Sequence, residues 1–212
     1  METETIDKPT VYYGGVFGSP YGIHTDIKDL LKDFKANFLV KDEPYLRCPS
    51  FTNWAKDMLV VKSMVDYSIY EDAIFEGNGN YAQWLSGEYF FVADKSVKMT
   101  TYPPFLERTN IQGVVGEFDI SKWFRCVNPA STLIDGKLEI KQGQSLLYVG
   151  FDRPVNLVRV TFPEEAMGIF HGAVSYKDQG MKNRTLKKLY DNFVASRSHK
   201  ALLKMVKEFN DL

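Results

Sequence analysis

Two carboxylates, an indole and a guanidinium occur close together on one short stretch of this sequence. Glu117 and Asp119 stand two positions apart, and Trp123 and Arg125 follow them. Because side chains alternate across a β-strand, residues two apart project from the same face. Two carboxylates beside an aromatic ring and a guanidinium could form a polar pocket or carry out acid–base chemistry. We predict Glu117, Asp119, Trp123 and Arg125 as binding residues. The alternative is a solvated rim in which Arg125 pairs with a carboxylate and Trp123 packs in the core.

A second pattern, His24-Thr25-Asp26, has the His-x-Asp spacing of Fe(II) oxygenases, which hold iron with two histidines and one carboxylate. His171 could supply the second histidine, and Arg184 could clamp a substrate carboxylate. In those enzymes the pattern lies on a core strand, whereas here it precedes a predicted helix that Thr25 or Asp26 would cap. We therefore predict no metal site and no cofactor, and a cupin-like Fe(II) oxygenase is the enzymatic alternative.

Other catalytic chemistries have weaker support. The sequence has no Gly-x-Ser-x-Gly motif and three histidines in all, which leaves few bases to activate a nucleophile. Gly113-Val-Val-Gly116 lacks the Lys-Ser/Thr pair that a phosphate-binding loop requires. Cys48 and Cys126 are expected to be free thiols, because two cysteines in a chain of 212 residues do not make a disulfide framework. We predict no catalytic residue.

Charge and hydropathy argue against membranes and against long-range steering of nucleic acid. The net charge is −1, and no run of apolar residues is long enough to cross a bilayer. The first nine residues are polar, so no signal peptide is expected and the protein is predicted not to be secreted.

Strand patterns dominate the middle of the chain. Eight or so short segments rich in aromatic and β-branched residues are separated by turn signals, with no βαβ rhythm. Residues 65–70, 145–151 and 156–162 are the clearest of them. This pattern predicts a mainly β, jelly-roll-like sandwich. Apolar residues at helical spacing predict one helix over residues 27–38, before the sandwich.

The last part of the chain changes to helical periodicity. Two apolar stripes separated by a short Ser-Arg-Ser turn predict an αα-hairpin. Residues 177–212 carry nine Lys or Arg against four Asp or Glu, which indicates either a solvated basic face or a docking arm for an acidic or nucleic-acid target. The predicted organisation is a flexible tail (1–10), a β-sandwich domain (11–176) and a basic hairpin (177–212).

Three segments together resemble a family of uncharacterised proteins encoded by tailed bacteriophages. They are Arg-Cys-Pro-Ser-Phe-Thr-Asn-Trp from position 47, Gly-Val-Val-Gly-Glu-Phe-Asp-Ile-Ser-Lys-Trp-Phe-Arg from position 113, and Ile-Lys-Gln-Gly-Gln-Ser-Leu-Leu-Tyr-Val-Gly-Phe from position 140. The last two are more distantly similar to a bacterial domain-of-unknown-function family. The resemblance covers roughly residues 44–162. It implies a phage origin and a jelly-roll-like fold, and no site residue is carried over from it.

These observations favour a non-enzymatic phage protein that acts by protein binding, as a virion structural component. The expected location is the virion or the host cytoplasm. A protein partner is expected, from the virion or the host, and a homo-oligomer is compatible with the sequence, whereas membrane and nucleic acid are not expected partners. Beside the oxygenase, a second alternative is an intracellular phage effector that binds a host protein or a small molecule.

Overall fold

The computed structural model describes residues 8–16, 26–37, 43–63, 65–70, 81–83, 90–109, 112–113, 115–122, 124–126, 130–132, 137–169 and 186–212. The strands are β1 (Thr10–Gly14), β2 (Asp26–Asp29), β3 (Leu59–Lys62), β4 (Tyr67–Tyr70), β5 (Tyr81–Gln83), β6 (Phe90–Ala93), β7 (Lys98–Tyr102), β8 (Gln112–Gly113), β9 (Gly116–Asp119), β10 (Arg125–Cys126), β11 (Ala130–Thr132), β12 (Lys137–Ile140), β13 (Ser145–Phe151) and β14 (Asn156–Arg159). The helices are α1 (Leu30–Asn37), α2 (Pro49–Ala55), α3 (Leu186–Ala195) and α4 (Ser198–Phe209), and a 3₁₀ turn spans Pro44–Arg47.

Two larger sheets carry most of these strands. Sheet I has the order β10-β6-β1-β14, and sheet II has the order β2-β3-β13-β7-β9. Sheet II is antiparallel throughout, whereas in sheet I the pair β1–β14 is parallel. Two small sheets, β5-β11-β8 and β12-β4, complete the described pairings. The prediction of a mainly β fold with a few helices is confirmed.

The main core lies between the two large sheets. Alternate residues of each strand face it, because side chains alternate across a strand. Val11 and Phe91 of sheet I enter the same buried cluster as Val61, Met99 and Val149 of sheet II. Each of these side chains is almost fully buried, so the inner faces of the two sheets are joined by apolar packing.

The outer face of each sheet is covered by helices. On sheet I, Phe90 and Val92 pack in one cluster with Phe193 of α3 and with Leu202 and Val206 of α4. A second cluster covers the outer face of sheet II. It is formed by Leu30, Ala55, Met58, Val60 and Tyr148, and α1 and α2 supply its helical side. The chain therefore places a helical layer on each side of the paired sheets.

The helix predicted over residues 27–38 is wrong at its start. Residues 26–29 form strand β2, which pairs with β3 from Asp26 opposite Lys62 to Asp29 opposite Leu59. Asp26 is thus a strand residue and does not cap a helix, while Thr25 lies outside the described residues. The apolar spacing from Leu30 onward is correct, and it continues into α1. Periodicity could not reveal β2 because backbone hydrogen bonds to β3 define it.

The close approach of two backbone segments requires glycine at position 14. A β-carbon on Gly14 would collide with the carbonyl oxygen of Val160, whose amide donates to Tyr13. Nothing comparable surrounds Gly116, where the nearest atom to such a carbon is the Thr101 hydroxyl at 3.6 Å. Gly14 of the Gly-Gly pair therefore permits a close contact between two backbone segments.

We expect Gly14→Ala to lower the free energy of unfolding by about 3 kcal/mol or more, because the backbone of β1 must move away from Val160. Gly116→Ala is the matched control, and its effect should stay within about 0.5 kcal/mol. Urea denaturation followed by tryptophan fluorescence measures both. Equal stability of the two variants would contradict this account of Gly14.

Candidate functional site

The predicted carboxylates both lie on β9, but they have different environments. Glu117 is half exposed, and its Oε1 accepts a hydrogen bond from Lys98 Nζ of the neighbouring strand at 2.9 Å. The same contact raises the pKa of Lys98. Glu117 therefore belongs to an exposed ion pair, a type of contact that contributes little to stability.

Asp119 is the more constrained of the two carboxylates. Its oxygens accept hydrogen bonds from Ser121 Oγ at 2.6 Å, Ser121 N at 3.0 Å and Ser96 Oγ at 2.8 Å. Lys122 Nζ lies 2.9 Å from Oδ2. Burial alone would raise the pKa of Asp119, but these donors outweigh burial and lower the pKa to about 2. The carboxylate thus fixes the turn that follows β9.

The other two predicted binding residues cannot be placed at a common site with the carboxylates. Trp123 lies outside the described residues. Arg125 begins β10, where it pairs with Phe91 of sheet I, and its side chain is not among those described. The two carboxylates share a strand and each has its own cationic partner, so the four-residue pocket stays a prediction.

The low pKa of Asp119 makes its contribution depend on pH. Because the folded pKa of about 2 lies below its ordinary value of 3.8, the carboxylate stabilises the fold above pH 4, and this stabilisation is lost as the pH falls towards 2. We expect Asp119→Asn to destabilise the protein at pH 7 and to have progressively less effect between pH 4 and pH 2. Urea titrations across this range measure the difference, with Glu117→Gln as the control. A constant deficit at every pH would contradict the assignment.

A buried polar cluster, not anticipated from the sequence, lies at the end of the central strands of sheet II. Lys62 Nζ on β3 lies 2.7 Å from Asp33 Oδ2 on α1, with side-chain exposures of 11% and 4%. The hydroxyl of Ser145 on β13 donates to Glu107. The signal available in the sequence was a lysine that closes the apolar run Leu-Val-Val-Lys.

Tyr148 lies beside these groups. Burial is the main cause that raises its pKa, and the negative charges of Glu107 and Asp33 act in the same direction. Its hydroxyl has no hydrogen-bond partner within the described part of the chain. The Asp33–Lys62 pair links α1 to β3, and burial makes each charge dependent on the other.

We expect Lys62→Met to cost about 3–5 kcal/mol, because it leaves the Asp33 carboxylate buried and unpaired. Asp33→Leu with Lys62→Met removes both charges and should recover much of this loss. A double-mutant cycle based on urea denaturation measures the coupling. If the two single losses simply add, the buried pair does not act as a unit.

Six aromatic rings form a continuous series from the interior to the surface next to this cluster. We call the exposed end of the series, Trp54 and Phe105, the aromatic face. Phe105 meets buried Tyr148 edge to face at 4.8 Å between ring centroids. Trp54 lies 5.6 Å from Phe105 and 5.6 Å from Tyr102, and Phe51 lies 6.5 Å from Phe105. Tyr45 is the sixth ring, 5.4 Å from Phe51.

The aromatic face remains open to solvent although the rings below it are packed. Trp54 is 49% exposed and Phe105 is 41% exposed. A solvent-exposed tryptophan is an apolar surface that a partner could cover, and tryptophan is enriched at the energetic centres of protein interfaces. The short helix α2 positions Trp54, and the segment between β7 and β8 positions Phe105.

Most residues of the iron hypothesis lie outside the described part of the chain. His24, His171 and Arg184 lie outside the described residues, and only the backbone of Asp26 is placed. Among the side chains that the structure does describe, no three His, Cys, Asp or Glu residues converge on a common metal position. The Fe(II) oxygenase alternative therefore stays a prediction.

Cys48 is an exposed free thiol, and hydrogen bonds from the backbone amides of Phe51 and Ser50 lower its pKa. Across the described segments, no helix is long and apolar enough to span a membrane.

The chain matches no protein-family model, and no curated protein or solved structure shows significant similarity to it.

Proposed function

We propose that this protein is a non-enzymatic bacteriophage protein that acts by binding another protein, as a structural component of the virion. The observation that carries the proposal is the aromatic face, in which two large exposed rings are held in place by four rings beneath them. The phage origin and the jelly-roll-like connectivity rest on the sequence resemblance. Jelly-roll sandwiches are common among capsid proteins, which supports the virion role by analogy of fold.

Packing makes the aromatic face suited to binding. Trp54 contacts Phe51, Tyr102 and Phe105, so its ring loses little conformational freedom when a partner covers it. Tyr148 anchors the series in the core, where it is fully buried. A partner that places aliphatic or aromatic side chains on these rings would bury apolar surface of its own together with that of Trp54 and Phe105, which stabilises the complex.

The protein partner is expected to be another component of the particle. Trp54→Ala and Phe105→Ala, alone and combined, remove the exposed rings. We expect the double variant to enter virions about tenfold less than the wild type, because hot-spot aromatics dominate interface energies. Quantitative mass spectrometry of purified particles, normalised to the major capsid protein, measures incorporation.

Leu157→Ala is the matched control, since Leu157 is exposed to 39% and belongs to sheet I, away from the aromatic face. Thermal melts must first show that each variant is folded. Absence of the wild-type protein from particles would reject the virion role and favour the intracellular effector. Sedimentation velocity tests whether the protein binds itself. If the wild type is a dimer and Trp54→Ala is a monomer, the partner that covers the aromatic face is a second copy of this chain.

A further inference from the structure

A cleft lined by cationic side chains lies where the C-terminal hairpin meets the corner of the sheets. It has a volume of about 230 Å³. Lys95 and Lys122 line it from the sheet side, and Arg197 and Lys200 line it from the turn and first residues of α4. The cleft shares no residue with the aromatic face.

The acidic groups near the cleft each accept hydrogen bonds from the protein, and one of them also pairs with a lysine. Asp94 is the one carboxylate among the described lining residues, and its Oδ1 accepts a hydrogen bond from Thr10 N at 2.8 Å. Asp119 stands behind the lining and pairs with Lys122. Among the described residues, Arg197 and Lys200 form no ion pair. Within the described part of the chain, the charges of Arg197 and Lys200 at the hairpin side therefore have no carboxylate partner, while Asp94 keeps its own negative charge in the lining.

The serines of the cleft do not supply donors to a ligand. The hydroxyls of Ser96 and Ser121 both donate to Asp119, so their hydrogens are committed. The cationic side chains, and not these hydroxyls, must hold any anion in the cleft.

The hairpin wall is fixed relative to the sheet. His199 Nε2 lies 2.6 Å from the carbonyl oxygen of Ala93, and because a carbonyl only accepts, Nε2 donates this bond. Helix α4 begins here without a side-chain cap, and its first internal hydrogen bond runs from Ala201 N to Arg197 O. The amides of the first turn thus add positive potential to that of the side chains.

Arg197 occupies a backbone conformation that favours glycine. Its φ of 58° and ψ of 19° are left-handed, and after the end of α3 its backbone N–H donates a hydrogen bond to Val194 O. The turn therefore places the long cationic side chain of Arg197 at the N-terminus of α4. The strain does not define a site, but it means that Arg197→Gly can remove the side chain without straining the backbone.

We propose that this cleft binds a phosphoryl group of a small phosphorylated molecule. Arg197 and Lys200 on the hairpin side, with Lys95 and the Asp119-paired Lys122 on the sheet side, suit a multiply charged oxyanion better than a single carboxylate, which one arginine can bind. The volume admits the phosphoryl group and a small substituent. Binding here is independent of the aromatic face, so either site can fail without the other.

Isothermal titration calorimetry with pyrophosphate, adenosine monophosphate and inorganic phosphate tests the proposal, in a buffer without competing anions. The wild type should bind one equivalent, and Arg197→Gly and Lys200→Gln should each weaken binding by about tenfold or more. Arg197→Gly should melt at the same or a higher temperature than the wild type, because glycine accepts the left-handed backbone. Loss of binding in that variant therefore cannot come from unfolding.

Lys204→Ala is the matched control, because Lys204 is an exposed lysine of the same helix whose ion pair is with Glu208. It should bind all three probes as the wild type does. Absence of binding to every probe, or equal affinities of Arg197→Gly and wild type, would overturn the proposal. Binding of a single-stranded oligonucleotide without binding of the small phosphates would also overturn it, in favour of a nucleic-acid surface.

Discussion

The burial of β13 on both of its faces is the constraint on which the rest of the structure depends. Leu147 and Val149 enter the core between the sheets, whereas Tyr148 packs in the cluster under α1 and α2. A strand in this position needs neighbours on both edges for its backbone groups and layers on both faces for its side chains. Strands β3 and β7 meet the first need, and sheet I and the helices meet the second. Buried polar groups at its end, such as Ser145, must then find partners inside the protein.

Both surfaces proposed for binding arise where the outer helical layers end. Helix α2 is only seven residues long, and it packs over Tyr148 while the ring of its own Trp54 and the neighbouring Phe105 stay exposed to solvent. On the other side, α3 and α4 cover sheet I with Phe193, Leu202 and Val206, and their connecting turn overhangs the corner near Ala93. An aromatic face and a basic cleft are thus products of the same architecture, with incomplete cover at two different places.

The sequence predicted those parts of the fold that depend on local pattern. Strands such as β13 and the two C-terminal helices follow from their own periodicity, and so does α1 from Leu30 onward. The remaining elements depend on contacts with residues that are distant in the sequence. Strand β2 exists because β3 is beside it, and the parallel pairing of β1 with β14 leaves no mark on either segment. The same holds for Lys62, whose burial depends on Asp33, and for Arg197, whose role depends on a turn that the Ser-Arg-Ser pattern located without its conformation.

Asp119 connects the residues expected to bind from the sequence with the cleft found in the structure. A carboxylate at the edge of a basic cleft would ordinarily repel an anion. Here Asp119 accepts hydrogen bonds from the hydroxyls of Ser96 and Ser121 and forms an ion pair with Lys122. The negative charge of Asp119 and the positive charge of Lys122 therefore offset each other. The sheet side of the cleft is therefore close to neutral at this point, and the excess positive charge lies on the hairpin side at Arg197 and Lys200. This asymmetry favours an anion that approaches the start of α4, where the first-turn amides of the helix lie next to Arg197 and Lys200 in the chain.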